Sequence, residues 1–346
     1  MAEDWMEEVG NRSVLVTGGS GFVGSYVVLA LLRQGYRVRT TIRSLSRESE
    51  VRQMLGEYVD AGDRLGFVAA DLLQDDGWGS AADGCTYVHH VASPMPVGEY
   101  RGTDVITPAR EGTRRVLEAS ARAGVKRVVI TSSTAAAMPA DPKGVTADET
   151  VWTDLPDRPA FNYPRAKTLA EQDAWAFVND NKPSFDLTTI LPAQIQGPIL
   201  GRDYSASVDL LRMMLRGKMP AVPRVGYNIV DVRDLVDLHL AAMIQPEAAG
   251  QRYIAAGDFL WFSDMARILR EEFGDKAAKT PTRTIPDLVI RIGALFNPEF
   301  RQISPVLGKR SRYSSVKAET LLGRPLRPAR AAMLDAAQSL IDRGLA

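Results

Sequence analysis

The segment SVLVTGGSGFVGSYVVLALLRQG, residues 13–35, decides the fold of this chain. It begins with an apolar run typical of a buried strand, and it continues with a helical periodicity that stops at Gly35. Between the two, Gly18 permits a tight turn, Gly21 lets the backbone approach a diphosphate, and Gly24 lets the helix pack closely on the strand. The first turn of that helix would offer N–H groups to phosphates, so we predict a dinucleotide-binding turn here.

The first half of the chain alternates strand-like runs with helical patterns, which is typical of βαβ units in a parallel sheet. Short β-branched strands between amphipathic helices indicate that both faces of the sheet are covered. We therefore predict an α/β fold, with a Rossmann-type, doubly wound parallel sheet over residues 1–193 and a smaller, mainly C-terminal substrate lobe over 194–346. Segments within about 225–256 are expected to return to the first lobe. After the first strand, the predicted strands are YRVRTTIR (36–43), RLGFVAADL (64–72), TYVHHVAS (86–93), VKRVVITSS (125–133) and FDLTTILPA (185–193).

Charge and composition narrow the classes of partner. The 346 residues carry 42 basic and 42 acidic side chains, so the formal net charge is zero. Nucleic-acid and anionic-membrane surfaces need a basic excess, and neither is expected as a partner. The acidic N-terminus lacks a secretory signal, and the longest apolar run is far short of a membrane span. A small-molecule substrate is therefore expected. The chain is taken to be a monomer or a homodimer.

The few cysteine and histidine residues suggest structural roles. Cys85 is the single cysteine, which fits a reducing cytoplasm, and we interpret it as buried filler. The three histidines, His89, His90 and His239, show no metal-ligand spacing, so no metal site is predicted. His89 and His90 end a strand-like run, where packing is the expected role.

Cofactor choice depends on the end of the second predicted strand, in TTIRSLSRE (40–48). A carboxylate there would hold the ribose 2′-hydroxyl of NAD, but Arg43 occupies the position and Arg47 follows one helical turn later. A guanidinium suits a 2′-phosphate through charge-assisted hydrogen bonds, so NADP(H) is favoured over NAD. Asp71, at the end of VAAD, is placed to accept from the adenine amino group, although it could equally cap the next turn.

A cluster of hydroxyl groups marks the end of another strand. VVITSSTAAAM, residues 128–138, is an apolar run that ends in Thr131, Ser132, Ser133 and Thr134. Ligands of open parallel sheets bind outside the carboxyl ends of the strands, so these hydroxyls could bind a carbonyl substrate. Taken alone, they could also be capping and turn residues.

Two tyrosine–lysine pairs with a spacing of four occur in the chain, YPRAK (163–167) and YSSVK (313–317). Tyr163 and Lys167 open a helical pattern, so they share a helix face, and Pro164 is tolerated in the first turn. A neighbouring ammonium can lower the tyrosine pKa from about 10 by roughly 1–3 units and so make the phenol a usable acid. YSSVK lies late in the chain, far from any predicted strand, and we interpret it as structural.

The glycine turn, VVITSS and YPRAK, in this order, resemble the short-chain dehydrogenase/reductases, in their extended, NAD-dependent epimerase/dehydratase-like branch. Within that branch, YVHHVASP, DETVWTD and LPAQIQGP are similar to the dihydroflavonol reductase and yeast-type aldehyde/ketone reductase group. The resemblance covers most of the chain and is weakest across 270–320. LGRPLRPAR departs from the usual C-terminal segment, and the stretch 138–149 is short.

The resemblance implies a carbonyl reductase, in which hydride passes from NADPH to the substrate. Ser133 would orient the substrate oxygen, with Ser132 as the neighbouring alternative. Tyr163 would be the general acid, and Lys167 would lower its pKa and hold the nicotinamide ribose. The cofactor-binding residues expected on this basis are Gly18, Ser20, Gly21, Phe22, Val23, Gly24, Arg43, Arg47, Asp71, Leu72, Val91, Ala92, Ser93, Thr131, Tyr163, Lys167 and Pro192.

Substrate contacts are expected in the variable loops, at Met95, Gln194 and Tyr204. Two other functions are alternatives. A sugar-nucleotide epimerase/dehydratase or hydroxysteroid-type dehydrogenase shares the fold and the triad, and a non-catalytic NADP-sensing regulator would bind the same cofactor. Epimerases favour tightly held NAD, against which Arg43 counts, and the regulators usually lack the tyrosine–lysine pair. We therefore expect an NADPH-dependent reductase that converts an aldehyde or ketone to an alcohol.

Overall fold

The computed structural model describes residues 12–94, 104–140, 144–156, 158 and 161–346, without the side chains of residues 298, 299 and 302. Within these ranges the largest sheet has seven strands, and every pair of neighbours in it is parallel. In sheet order the strands are β10 (Gln251–Ala255), β6 (Asp186–Pro192), β5 (Arg127–Thr131), β4 (Tyr87–His90), β1 (Ser13–Thr17), β2 (Arg37–Ile42) and β3 (Leu65–Ala69). The predicted Rossmann-type parallel sheet is confirmed.

Helices connect and cover these strands. In the described ranges they are α1 (Phe22–Arg33), α2 (Glu48–Gly56), α3 (Trp78–Ala82), α4 (Ile106–Arg122), α5 (Asn162–Asn181), α6 (Ala206–Leu215), α7 (Val232–Ile244), α8 (Phe262–Phe273), α9 (Asp287–Gly293), α10 (Pro298–Ile303), α11 (Val316–Leu322) and α12 (Ala329–Asp342). No helix among the described residues is both long enough and apolar enough to cross a bilayer.

Strand β1 shows why both faces of the sheet are apolar. Successive side chains of a strand point to opposite faces. Val14 and Val16 belong to one hydrophobic cluster, together with residues of α1 and α7, whereas Leu15 belongs to a second cluster with Leu117 of α4. All of these side chains are almost fully buried. The continuous apolar run in the sequence therefore follows from helices packed on both sides.

Shorter strands form two small sheets outside the main one. The first has the order β11-β9-β7 and the second the order β12-β8. They consist of β7 (Gln194–Gln196), β8 (Val222–Pro223), β9 (Gly226–Asp231), β11 (Phe259–Trp261) and β12 (Thr284–Ile285). Between β9 and β10 the chain returns to the main sheet, where β10 pairs with β6 at the edge. The division into two lobes at residue 193 stays a prediction.

The strand order places a switch point between β1 and β4. From β1 the chain proceeds outward to β2 and β3 on one side, and the later strands β4, β5 and β6 lie on the other. In sheets of this kind, ligands bind in the crevice at the carboxyl ends of the strands beside the switch point. The loops that follow β1, β4 and β5 are therefore the place to look for the site.

Candidate active site

The glycine turn after β1 has the geometry that its spacing predicts. Gly18 has φ +71°, a left-handed conformation that favours glycine. A Cβ at Gly24 would lie 2.1 Å from the Gly18 carbonyl oxygen, so the close approach of helix and turn requires glycine there. A Cβ at Gly21 would meet nothing nearer than 3.4 Å. Packing within the protein therefore explains Gly18 and Gly24, but it does not explain Gly21.

A fourth glycine, which the spacing argument did not single out, also holds this turn. A Cβ at Gly19 would lie 1.9 Å from the Thr40 Oγ1 atom of strand β2. The Thr40 hydroxyl itself donates to the Val16 carbonyl oxygen at 2.7 Å. The turn therefore packs directly against β2. The pair of adjacent glycines, Gly18 and Gly19, was the sequence feature that could have indicated this contact.

Helix α1 begins directly after the turn and presents an anion-binding N-terminus. Gly21 is its N-cap residue, and its first turn contains no acidic side chain. The Ser25 N–H donates to the Gly21 carbonyl oxygen at 2.9 Å, so the amides before Ser25 have no partner within the helix. With the partial positive charge of the helix end, they form a suitable cradle for phosphate groups. Phe22 and Val23 are buried at the same helix start.

The segment after β4 runs beside the glycine turn. Thr17 Oγ1 accepts hydrogen bonds from the Val91 and Ala92 N–H groups, both at 3.0 Å. A Cβ at Gly18 would lie 3.1 Å from the Ala92 Cα atom. The structure thus brings the predicted cofactor residues of the two loops together, and Ala92 and Ser93 line a cavity that also reaches Lys167.

The predicted adenine end lies at the carboxyl ends of β2 and β3. Arg43 follows β2 directly and is exposed. Arg47 is engaged with two carboxylates, Glu50 at 3.0 Å and Asp203 at 2.7 Å. The Asp71 carboxylate accepts from the Leu73 N–H at 2.8 Å, so the alternative of a turn-capping role is present in this structure. Arg47 would have to change partners to bind a phosphate.

The two serines at the end of β5 have different partners. Ser132 Oγ donates to the Glu171 carboxylate at 2.6 Å and is buried. Ser133 Oγ is hydrogen-bonded to Tyr163 and accepts from the Ala135 N–H at 3.1 Å. The side chain that accompanies the tyrosine is therefore Ser133, whereas Ser132 is turned toward the interior of the protein.

Helix α5 carries the tyrosine and the lysine. Tyr163 is its second residue and Lys167 lies one turn later. Burial raises the pKa of the Tyr163 phenol above its ordinary value, and the Ser133 hydrogen bond opposes this shift. The net direction is opposite to the lowering expected from the neighbouring ammonium, because loss of solvent outweighs the other contributions.

Lys167 is hydrogen-bonded to the last residue of β5, the strand that Ser132 and Ser133 follow. Its side chain is buried, and its Nζ atom donates to the Thr131 carbonyl oxygen at 3.1 Å. Burial lowers the Lys167 pKa to about 8, and the negative charge of Glu171 opposes this shift. Lys167 is therefore a cation that loses its proton close to the physiological range.

The second tyrosine–lysine pair lies nearer to the sheet than predicted. Residue 313 forms a bridge with Ala147, and the Tyr313 phenol donates to the Thr134 carbonyl oxygen at 3.5 Å. Lys317 instead bonds the Gln251 side chain of β10 at 2.6 Å. The expectation that YSSVK lies far from any strand was wrong, because the late chain folds back over the ends of β5 and β10. The two side chains have separate partners.

The histidines of β4 are buried and have hydrogen-bonding partners. His90 Nδ1 lies 2.9 Å from Thr17 Oγ1, and His89 Nδ1 lies 3.3 Å from His239 Nδ1. Burial lowers the pKa of His89 and His90 to about 3, so both are neutral. In the described part of the chain, no three His, Cys, Asp or Glu side chains are grouped to hold a metal ion. Cys85 is buried, as predicted.

Buried charged residues beside the triad were missed by the sequence argument. Glu171 and Arg252 form an ion pair at 2.8 Å, with side chains that are 1% and 9% exposed. Glu171 follows Lys167 by four residues on α5, so helical spacing was a signal that could have found it. Arg252 comes from β10, and no local pattern marks it.

The predicted substrate residues are placed unevenly. Pro192, which was predicted to bind the cofactor, ends β6 and is buried. Gln194 begins β7, whereas Tyr204 precedes α6, and both are partly buried. Met95 lies outside the described residues.

Comparisons with known proteins show the family and the fold that this chain resembles. A family model described as "NAD dependent epimerase/dehydratase family" matches residues 14–256. An anthocyanidin reductase ((2S)-flavan-3-ol-forming) from Vitis vinifera is 32% identical over 321 residues, which are 85% of this chain and 94% of the relative. Cinnamoyl-CoA reductase 1 from Petunia hybrida is 33% identical over 325 residues, 90% of this chain and 93% of the relative. Among solved structures, yeast methylglyoxal/isovaleraldehyde reductase Gre2 complexed with NADPH has a TM-score of 0.80 and 25% identity, covering 97% of this chain and 100% of that one.

Proposed function

This chain belongs to the NAD-dependent epimerase/dehydratase family of extended short-chain dehydrogenases/reductases, and we propose that it is an NADPH-dependent reductase that converts an aldehyde or ketone to an alcohol. The anthocyanidin reductase and cinnamoyl-CoA reductase relatives support the predicted dihydroflavonol reductase-like group. The observation that carries the proposal is the hydrogen bond between Ser133 and Tyr163 at the carboxyl edge of the sheet, with Lys167 one helical turn away.

The nucleotide end fits a dinucleotide. The N-terminus of α1 has no competing acidic side chain, and the space at Gly21 is not taken by protein atoms. Gly18, Gly21 and Gly24 with the first amides of α1 would hold the diphosphate, and Arg43 the 2′-phosphate. When bound, NADPH supplies the hydride. The NADPH complex of the yeast relative supports this choice of cofactor.

The protein's own groups position the substrate and supply the proton. Ser133 Oγ and the Tyr163 phenol converge, so a substrate carbonyl oxygen between them would accept hydrogen bonds from both. Tyr163 then transfers its proton to the developing alkoxide. The positive charge of Lys167 stabilises the phenolate that this transfer leaves behind. Ala92 and Ser93 line the cavity that reaches Lys167 and would limit access of water to the cofactor side.

The remaining assignments extend the same proposal. Gln194, Tyr204 and Met95 would contact the substrate. A cytoplasmic location is proposed from the single, buried Cys85. The chain would act as a monomer or a homodimer, with residues 1–193 as the nucleotide lobe and most of 194–346 as the substrate lobe.

The direct test is NADPH oxidation against a panel of aldehydes, diketones, flavonoid ketones and aromatic thioesters, with sugar nucleotides as the competing class. We expect alcohol formation with stoichiometric NADPH consumption for at least one carbonyl compound. Epimerisation of a sugar nucleotide without net NADPH consumption would support the alternative enzyme class instead.

A further inference from the structure

Glu171 is a buried side chain beside the proposed triad that accepts hydrogen bonds from several elements. It is 2% exposed and lies one helical turn after Lys167 on α5. One carboxylate oxygen accepts from Ser132 Oγ at 2.6 Å. The other accepts from Thr189 Oγ1 of β6 at 2.7 Å and from Arg252 Nε of β10 at 2.8 Å. These donors, of which Arg252 is a cation, hold the buried carboxylate in a single orientation.

Arg252 extends these contacts to the loop of residues 149–152, which comes after β5 and its two serines in the chain. Its guanidinium donates to the backbone carbonyl oxygens of Glu149 at 2.6 Å and Val151 at 2.9 Å. The Trp152 ring lies over it, 3.7 Å from ring centroid to Cζ. The buried pair therefore connects α5, two strands of the sheet and the 149–152 loop.

Thr153, the residue directly after this loop, fixes the backbone that follows Ser133. Thr153 Oγ1 donates to the Ala135 carbonyl oxygen at 2.8 Å and accepts from the Met138 N–H at 2.6 Å. The short helical turn from Thr134 to Ala137 begins with Ser133 as its N-cap. A change in the Glu171–Arg252 pair would thus be transmitted to the backbone that carries Ser133.

We propose that Glu171 is a positioning residue for the reduction: it holds Ser132 away from the substrate, so that Ser133 alone accompanies Tyr163, and it places a negative charge one helical turn from Lys167. The inference rests on the proposed reductase function. Glu171 acts through Ser132, Ser133 and Lys167 and does not itself contact the reacting atoms.

The charges around Lys167 support the second half of the proposal. Tyr163 and Glu171 share its helix, and His90 faces it from β4 and is neutral because burial lowers its pKa to about 3. Arg252 is bonded to Glu171 and to backbone carbonyls. Burial lowers the Lys167 pKa to about 8, and Glu171 is the charge that opposes it. Loss of the carboxylate charge would lower the Lys167 pKa further.

The test is the pH dependence of kcat for Glu171→Gln, which keeps the shape of the side chain but removes its charge. We expect the fall in activity at high pH to occur about one pH unit lower than in the unchanged protein. Glu171→Asp, which restores the charge, should return the fall toward its original pH. Asp173→Asn removes a charge from the same helix at the surface, where Asp173 pairs with Arg110, and should leave the profile unchanged.

If Glu171→Gln does not fold, Glu171→Gln/Arg252→Met replaces it, so that Arg252 is not left as a buried charge without its carboxylate partner. The same shift is expected there, since Arg252 bonds Glu171 rather than Lys167. A profile that coincides with that of the unchanged protein, in a variant that folds, would overturn the inference. Tyr163→Phe run in parallel separates the two failures: if Tyr163→Phe stays active, it is the proposed function that is wrong.

Discussion

Lys167 Nζ donates a hydrogen bond to the carbonyl oxygen of Thr131 at 3.1 Å, across 36 residues of sequence. This bond joins helix α5, which carries Tyr163, to the end of strand β5, which carries Ser133. The acid and the residue that orients the substrate are thereby kept in one rigid unit, because β5 lies inside the sheet and α5 packs on it through Ala174. The predictions below test what each member of this unit does.

Removing the Tyr163 hydroxyl should abolish most of the activity. Tyr163→Phe keeps the ring but removes the proton donor, so we expect kcat to fall by about 10²–10⁴-fold. Tyr313→Phe is the matched control, because its phenol bonds only weakly to the Thr134 backbone, and its kcat should stay within a few-fold. Steady-state NADPH oxidation measures both. Equal losses in the two variants would contradict the assignment.

Alanine substitutions of the two neighbouring serines should have very different effects on kcat/KM. Ser133→Ala removes a hydrogen bond to the substrate oxygen, and we expect kcat/KM to fall about 10²-fold. Ser132→Ala loses one bond to Glu171 inside the protein and should reduce kcat/KM by less than about tenfold, with a loss of about 1 kcal/mol in unfolding free energy. Kinetics and urea unfolding distinguish the two effects. A larger kinetic loss in Ser132→Ala would reverse the roles.

Reduction should slow as the pH rises through about 8. Lys167 is charged below its pKa of about 8 and neutral above it, and the charged form is the one that stabilises the phenolate. We therefore expect kcat to be constant at lower pH and to fall above about 8. Lys167→Arg keeps the charge at high pH, so its residual activity should not show this fall. An unchanged fall in Lys167→Arg would assign it to another group.

Alanine substitutions at two glycines of the nucleotide turn should affect different properties, stability at Gly24 and NADPH binding at Gly21. A Cβ at Gly24 would overlap the Gly18 carbonyl oxygen, so Gly24→Ala should lower the free energy of unfolding by about 1–3 kcal/mol. A Cβ at Gly21 is accommodated by the protein but would face the diphosphate. Gly21→Ala should therefore keep its Tm and raise the Kd for NADPH at least about tenfold. Fluorescence titration with NADPH measures this, and an unchanged Kd would remove Gly21 from the site.

Cofactor preference should depend on Arg43. Arg43→Glu places a carboxylate where a ribose hydroxyl would be held, and we expect the ratio of kcat/KM for NADPH to that for NADH to fall about tenfold to hundredfold. Arg37→Glu, at the other end of β2, makes the same charge change and breaks only a surface pair with Asp63. That control should keep its preference. An unshifted ratio in Arg43→Glu would refute the phosphate role.

Hydrophobic periodicity predicted where helices and strands begin in the parts of the chain where that periodicity is strong. The first strand was expected from residue 13 and spans Ser13–Thr17, and the helix expected from 22 spans Phe22–Arg33. The short strands β7, β8, β11 and β12 were not predicted, since two or three residues carry no measurable alternation. They form only because the folded chain brings their partners alongside.

Local spacing alone indicated the nucleotide turn and the Tyr163–Lys167 pair, because each depends on residues within one turn or helix. The order of these motifs along the chain carried the resemblance to the family. Only the tertiary structure separated Ser133 from Ser132, since the choice depends on where Glu171 and Tyr163 lie across the sheet edge. It also joined Glu171 to Arg252, 81 residues apart, and brought Tyr313 beside Thr134. Contacts of this kind depend on strand order and on buried charge, and no short pattern in the sequence encodes them.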